Sequence, residues 1–420
     1  MVAISREKLL IIAVQAIEAV GMVIFFKLLA VTLDKSELGN YLLVTSILSL
    51  LLICPFSVLD QGLMRFASIY SKAGVLQHRY PALLFGYGLI ALVIATVLWI
   101  SGTFILNSPR WSIFLPALAF WLAAEAFKNV TLAMSNALRM RIDYATGKIV
   151  EQLTKLSLVF VLATMITLDT LTIIHVLTVS GIVVMCIMLF YQRKQLGTFS
   201  KNDLLAVFRD TGSFSWPLLV WGIFGWMQLM SNRWFLDWFL DEQAVADFGV
   251  LSTISTLPFT MLVGLVATYS LPVLYQRENE NSGSTRRNVQ IILYRMSPVF
   301  LIGVVVTAIL HKEIILLVSS SAYLSHSIML PFMVFSVALS SLGTFLTYDS
   351  YARLETHKLL VSQVAPGIVS VFLGLVLVSK FGVVGAAITF IIAHSLYFLL
   401  QLGVFYRNGR NIIVENHGYK

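Results

Sequence analysis

Ten ionisable residues of this chain sit inside long apolar runs: the cations Lys27, Lys128, Lys155, Arg233 and Arg295, and the carboxylates Glu18, Asp60, Glu125, Glu151 and Asp237. In a helix crossing hydrocarbon each costs about 2.5–3.5 kcal/mol, so a charge at depth is a candidate for ligand binding or ion coupling until a partner explains it. Three pairs have the three- or four-residue spacing that lets a helix neutralise its own charge: Glu125 with Lys128, Glu151 with Lys155, and Arg233 with Asp237. For Glu151 and Lys155 this structural reading is the preferred one. Glu125 and Lys128, with Asn129, make a polar face between Trp121 and Asn136 that must look into water or a partner helix rather than lipid. Glu18 lies near the middle of its run and has no cation three or four positions away. Two readings stand for Lys27 and Arg233: a functional cation, or a side chain that snorkels to the outer boundary. Arg295 reads as a snorkelling residue, and Asp60, in Leu59-Asp60-Gln61-Gly62, as a group that caps or pairs locally. Five of the eight tryptophans cluster between Trp216 and Trp238. Trp221 and Trp226 are too deep for an interfacial belt; they either pack against other helices or stack on a sugar ring.

The elements that carry these groups follow from composition. Of 420 residues, 58% are hydrophobic and 12% charged, about half the charge of a soluble domain. Apolar stretches of 18 or more residues recur throughout, each long enough to cross roughly 30 Å of hydrocarbon as a helix. The chain reads as an all-α polytopic membrane protein of about twelve spans, centred near residues 20, 50, 92, 124, 158, 181, 225, 260, 302, 337, 369 and 394. Continuous Leu/Ile/Val/Phe runs exclude the alternating pattern of a transmembrane β-barrel. Cys54 and Cys186 offer no disulfide framework, the seven histidines show no zinc spacing, and there is no phosphate-binding Gly-x-x-x-x-Gly-Lys-Ser/Thr loop. No metal and no cofactor are expected.

The polar loop Leu33-Asp34-Lys35-Ser36-Glu37-Leu38-Gly39-Asn40-Tyr41 has a partner 207 positions later, beginning Leu240-Asp241-Glu242, and the likeness runs on into Val44 against Leu251. Lys27 and Arg233 fall one residue apart on the same offset. Two copies of one unit, each with a cation at similar depth, are a common plan of secondary transporters. The expected organisation is an N-lobe over 1–191, an amphipathic linker on the inner membrane surface over 192–212, and a C-lobe over 213–420. The loop from Gln276 to Asn288 reads as flexible.

With the N-terminus in the cytosol, twenty of the 29 basic residues fall in inner loops or termini, Lys148 among them, and four (Lys35, Arg110, Lys312 and Lys380) fall outside. This asymmetry orients the protein with both termini cytosolic. It also accounts for most of the +8 net charge without nucleic acid, and suits anionic lipid headgroups.

The chain resembles the Wzx-type polysaccharide flippases of the multidrug, oligosaccharidyl-lipid, polysaccharide exporter superfamily, relatives of the MATE antiporters. The resemblance rests on Leu38-Gly39-Asn40-Tyr41, on Asp60-Gln61-Gly62 with Arg65, on Ser215-Trp216-Pro217, and on Phe381-Gly382-Val383-Val384-Gly385-Ala386-Ala387, together with the two six-helix lobes. It implies a MATE-like fold in the bacterial plasma membrane. The implied function is movement of an undecaprenyl-pyrophosphate-linked oligosaccharide from inner to outer leaflet by alternating access, in some members driven by protons or sodium. Lys27, Lys128 and Arg233 would line a cationic cavity between the lobes, and Glu125, Glu18 and Asp60 would couple ions. Membrane lipids and other polysaccharide-assembly proteins are the implied partners.

A drug or metabolite exporter of the same superfamily is the alternative, although its cationic substrates would want an acidic cavity. A membrane polymerase or ligase is a third reading; such enzymes carry large outer loops, whereas segments such as Asn107 to Pro109 and Leu168 to Thr170 are short. Topology is directly testable. In a background with Cys54 and Cys186 replaced, single cysteines placed in 65–79, 139–148 and 192–212 are expected to react only from the cytosolic side. Labelling of position 203 from outside intact cells would overturn the orientation.

Overall fold

Hydrocarbon offers a backbone no hydrogen-bond partners, so each apolar run must satisfy its own amides as a helix. The computed structural model describes residues 6–105, 108–280, 284–353 and 355–417, and no strand occurs among them. The first unit contains α1 (Arg6–Thr32), α2 (Lys35–Leu51), α3 (Val58–Lys72), α4 (Leu76–Ile100), α5 (Pro109–Ala137), α6 (Arg141–Met165) and α7 (Thr170–Tyr191), followed by α8 (Lys201–Phe239). Then come α9 (Glu242–Glu280), α10 (Ser284–Val318), α11 (Leu330–Ala352) and α12 (Leu360–His417). The polar loop expected over Gln276 to Asn288 runs through 281–283, and the short outer loop at Asn107 through 106–107; both stretches lie outside the described residues.

Nine of the helical stretches are long and apolar enough to cross a membrane. Two of the remaining passes, α6 and α8, do not stand out by hydropathy: α6 carries Lys148, Glu151 and Lys155, and the uncharged stretch 211–232 of α8 is diluted by Trp, Ser, Gly and Gln. The twelfth comes from α12, which is two helices joined at Gly382. There φ is 55° and ψ −130°, a region closed to residues with a Cβ. Along the second membrane stretch, 35–72, α2 and α3 form one kinked pass. Cys54 leaves helical geometry at the bend and Pro55 supplies no N–H.

The repeat is visible in the helix boundaries. α1 ends at Thr32 and α8 at Phe239, while α2 begins at Lys35 and α9 at Glu242, so both boundaries keep the 207-residue offset. Asp34 and Asp241 are the matching N-cap residues; in the second copy Asp241 Oδ1 accepts the Ala244 N–H at 2.8 Å. In the first copy the loop is tied elsewhere. Glu37 accepts both the N–H and the hydroxyl of Thr170 at 2.7 and 2.6 Å, closing the orphan amide at the start of α7.

The chain divides into two compact units, Met1–Leu219 and Val220–Lys420. In the first, α5 packs against α3, α4 and α7, and α1 against α6. Its core runs through Tyr80, Tyr87, Leu118, Leu122 and Val130, all fully buried. In the second, α11 packs on α9, α10 and α12, with a ladder of rings from Phe259 to Phe300 (5.1 Å) to Phe345 (6.0 Å). Lipid is as apolar as these rings, so interlocking shape rather than exclusion of water holds such helices together.

The expected amphipathic linker is not a separate surface helix. Residues 201–212 are the first turns of α8, and the stretch before them is strapped to the start of α4: Gly197 N–H donates to Gln77 O at 3.0 Å, and Phe199 packs on Phe85 at 5.4 Å. Arg79 reaches Asp203 at 3.4 Å, and Tyr70 donates to Asp210 Oδ2 at 3.0 Å. Alternating apolar and charged residues look the same whether the apolar side meets lipid or, as here with buried Val207 and Thr211, neighbouring helices.

Replacing Gly382 by Val should strain the hinge of α12 by on the order of 1–3 kcal/mol and lower the detergent-solubilised protein's unfolding temperature. Gly403→Ala, where an added Cβ meets nothing within 4 Å, should not. Equal melting of both variants would mean that the bend is dispensable.

Candidate functional site

The polar face foreseen on α5 finds its partner on α6. Lys128 is 4% exposed. Its ammonium donates to Glu125 on its own helix and to Glu151 Oε1 on α6 at 2.7 Å. One turn earlier on α6, Lys148 donates to Glu18 Oε1 on α1 at 2.7 Å. One turn later, Lys155 lies with its Nζ 5.2 Å from the centre of the Phe25 ring on α1. Three lysines and three glutamates from three helices thus form one cluster of zero net charge, buried at Lys128 and Lys155 and half-buried at the other four. Lys148, Glu151 and Lys155 recur at three- and four-residue spacing, so one stripe of α6 carries half of it. Close approach of α1 and α6 depends on Gly21: a Cβ there would lie 2.5 Å from the side-chain oxygen of buried Gln152.

Several sequence expectations change. Glu151 does not pair with Lys155 along the helix; its nearest cation is Lys128, because side chains from two helices meet at a shorter distance than the intrahelical spacing allows. Lys155 is left with the face of Phe25, and no carboxylate among the described residues comes within ion-pair distance of it. Glu18 is not alone in mid-membrane, since Lys148 neutralises it. Lys148 in turn is not a loop residue, for α6 already begins at Arg141. The turn before it closes on Arg139, at φ 59°, with Arg141 donating to Asn136 Oδ1 at 2.6 Å.

Asp60, on α3, has different surroundings. Its carboxylate accepts the Tyr87 hydroxyl from α4 at 2.6 Å, and that hydroxyl also lies 3.0 Å from Phe56 O beside the kink. No cation among the described residues comes within ion-pair distance of Asp60, which separates it from Glu18, Glu125 and Glu151. A second polar contact, not foreseen, joins three helices. Fully buried Gln192 accepts from Tyr80 at 2.5 Å and donates to Thr131 O and Ser135 Oγ at 2.7 and 2.8 Å. It locks α4, α5 and α7 together.

Lys27 is half-buried, five residues before the end of α1. Arg233, 7% exposed, lies in the second unit, where it borders a cavity of about 350 Å³ between α8, α9, α11 and α12. Trp221 and Trp226 are half-buried on α8, and the Trp221 indole N–H is buried with no hydrogen-bond partner. No group of three or more metal-ligating side chains occurs among the described residues. What sequence reasoning missed is Lys148, hidden by its position at an apparent span boundary, and the aromatic partners Phe25 and Tyr87, which no spacing rule connects to Lys155 or Asp60.

Comparison with known proteins places the fold and the family. The fold is shared with an inward-facing multidrug resistance MATE family transporter of the MOP superfamily, at 12% identity with 95% of each chain covered and a TM-score of 0.77. It is shared too with the lipid II flippase MurJ in its inward closed conformation, at 13% identity over 97% of this chain and 90% of that one, with a TM-score of 0.73. A MOP superfamily transporter from Pyrococcus furiosus matches at 11% identity over 96% and 97% of the chains, with a TM-score of 0.66. None of the curated protein sequences matches. The model of one sequence family covers residues 5–278, well over half of the chain, and this multi-pass membrane protein belongs to that family, the polysaccharide biosynthesis proteins.

Proposed function

We propose that this protein is a flippase that carries an undecaprenyl-pyrophosphate-linked oligosaccharide from the inner to the outer leaflet of the bacterial plasma membrane by alternating access, with both termini in the cytosol. Membership of the polysaccharide biosynthesis family supports the pathway, and a fold shared with a lipid II flippase supports the kind of movement. The observation that carries the reading is Lys155. It is a cation 7% exposed within the first unit, held against an aromatic face rather than by a carboxylate. An ammonium so placed can give charge-assisted hydrogen bonds to an incoming phosphate without first breaking a salt bridge. Lys128 must release Glu125 or Glu151 to do the same. Lys27, on the same helix as Phe25, adds a second cation toward the outer end. A cationic drug would meet repulsion from these groups, which disfavours the exporter of multidrug type.

Ion coupling belongs, in this proposal, to Asp60 before Glu125 or Glu18. A carboxylate that exchanges a proton during transport must not be tied to a permanent cation. Glu125 and Glu18 each have a lysine partner, whereas Asp60 has only a tyrosine hydroxyl. Protonation of Asp60 would turn the Tyr87 contact from acceptor to donor geometry beside the α2–α3 kink, which links the proton to a bend in a membrane pass.

Depletion of the protein is expected to trap the lipid-linked oligosaccharide on the inner leaflet, seen as lost access of an externally added glycosidase in spheroplasts; unchanged access would sink the flippase reading. Lys155→Gln should slow outward movement about tenfold, the worth of a hydrogen bond to a charged group, at unchanged protein level. In liposomes Asp60→Asn should lose its response to an imposed pH gradient while Glu125→Gln keeps it. The reverse pattern would return the coupling role to Glu125.

A further inference from the structure

Exposure marks the sides of α4 and α7 that no other helix covers: Phe85, Leu89 and Val93 on the one, and Val179, Ile182 and Phe190 on the other. In a membrane both stripes meet acyl chains. At the start of α4 and the end of α7 they run up to the segment 193–200, whose backbone is pinned at three points. Gln77 Nε2 donates to Lys194 O at 3.2 Å, Gly197 N–H donates to Gln77 O at 3.0 Å, and His78 Nδ1 donates to Thr198 O at 2.5 Å. The Arg193 guanidinium sits over the Phe190 ring, 4.6 Å from its centre, and the Phe199 ring lies 5.4 Å from that of Phe85. Arg193, Lys194, Phe199 and Lys201 are all exposed.

Arg193, Lys194 and Lys201 thus stand together on one rim, and among the described residues no carboxylate comes within ion-pair distance of them. The acid beside them, Asp203, is engaged by Arg79 at 3.4 Å and accepts the Ser200 N–H and hydroxyl at 3.0 and 2.7 Å. Basic residues at the ends of spans are general in membrane proteins, but two features here go further. The backbone at Lys194 is already fixed, so less freedom is lost when a ligand binds. Arg193 already rests on an aromatic face, which leaves the N–H donors in the guanidinium plane for an oxyanion. Phe190 lies one turn before Arg193, and Phe85 lies about 12 Å along α4 from Gln77, so the apolar contacts begin directly beneath the cations. A complementary ligand has an oxyanion at headgroup depth with hydrocarbon chains below it; a soluble anion would use only the upper half.

We infer that this rim is a binding site for an anionic phospholipid, its phosphate on Arg193 and Lys194 and its acyl chains along Phe190, Phe85 and Phe199. Lys201 adds attraction at longer range. A zwitterionic headgroup brings a cation with its phosphate and gains less from the same three charges. Because 193–200 joins α7 to α8, an occupied rim holds the start of α8 against α4. The site is independent of the cargo: it stands or falls whatever the protein carries.

Native mass spectrometry of the delipidated full-length protein in a neutral detergent tests this, with phosphatidylglycerol and phosphatidylcholine of matched chains and with inorganic phosphate as competitor. The first phosphatidylglycerol is expected to bind about tenfold tighter than phosphatidylcholine and to resist an equimolar amount of phosphate. Arg193→Gln combined with Lys194→Gln should bring phosphatidylglycerol down to the level of phosphatidylcholine, Arg193→Lys should keep part of the preference, and Phe199→Ala should weaken both lipids together. Arg209→Gln removes an equally exposed cation two turns past Lys201 on α8, with a side chain 81% exposed, and should change nothing. Equal binding of the two lipids by the parent would overturn the proposal. So would an equal loss in Arg209→Gln, which would reduce the preference to diffuse surface charge, and so would displacement by equimolar phosphate, which would leave an anion site without acyl contacts. Should the double Gln variant fail to fold, the two lipids and phosphate on the parent, with Arg209→Gln beside it, decide alone.

Discussion

A lysine cannot be left bare in hydrocarbon, and the first unit is arranged around that constraint. Lys128 sits at the contact of α5 and α6 between two carboxylates, one from each helix. Removing either partner would leave a buried charge uncompensated, a loss of the order of 3–5 kcal/mol. That dependence fixes the rotation of α6 about its axis. With Glu151 turned toward α5, Lys148 and Lys155 on the same stripe are brought to α1, where Glu18 and Phe25 receive them. Gly21 then lets α1 come close enough for both contacts. Three helices that lipid could not sort by hydrophobicity are thereby registered by electrostatics.

The second unit handles charge by other means. The cavity lining has Arg233, His394 and six hydroxyls and no carboxylate, and five of the hydroxyls donate to carbonyls of their own helices. Such hydroxyls are inexpensive in a membrane because the hydrogen is never left unpaired, yet their lone pairs remain available. The two copies of the repeat have kept helix boundaries 207 residues apart while diverging in the chemistry they enclose. One unit holds a cluster of three lysines and three glutamates, in which Lys155 alone faces a ring; the other borders its cavity with Arg233, serines and threonines.

Much of this was legible in the sequence, and the limits have a common cause. Span number, the repeat and its offset came from hydrophobicity and from one pair of polar loops, signals that are local. Glu125 with Lys128 was legible because both lie on one helix. The pairing of Glu151 with Lys128, or of Glu18 with Lys148, lies 23 and 130 residues apart in the chain and depends on which helices touch, which no spacing rule states. Lys148 was lost for a sharper reason. A charge near the end of an apolar run reads as loop by hydropathy, whereas the helix begins at Arg141 and the charge belongs to the cluster. The strap at 197–210 failed in the same way, since an amphipathic pattern does not say whether protein or lipid covers its apolar side.

The neutrality of the cluster has a consequence for energetics. A conformational change that carries a balanced set of charges through the membrane field does no net electrical work, whereas a dianionic headgroup moving outward across an inside-negative membrane gains about 2.3 kcal/mol per charge for each 100 mV. In the proposed mechanism the potential then acts on the cargo and not on the carrier. The protein's share is to lower the barrier, which requires a cation at depth whose attraction is real but limited. Lys155 fits that requirement because the ring of Phe25 stabilises it by about 0.5–2 kcal/mol, less than a buried carboxylate would. A phosphate can therefore displace the partner on arrival, and the ring can take the ammonium back when the phosphate leaves.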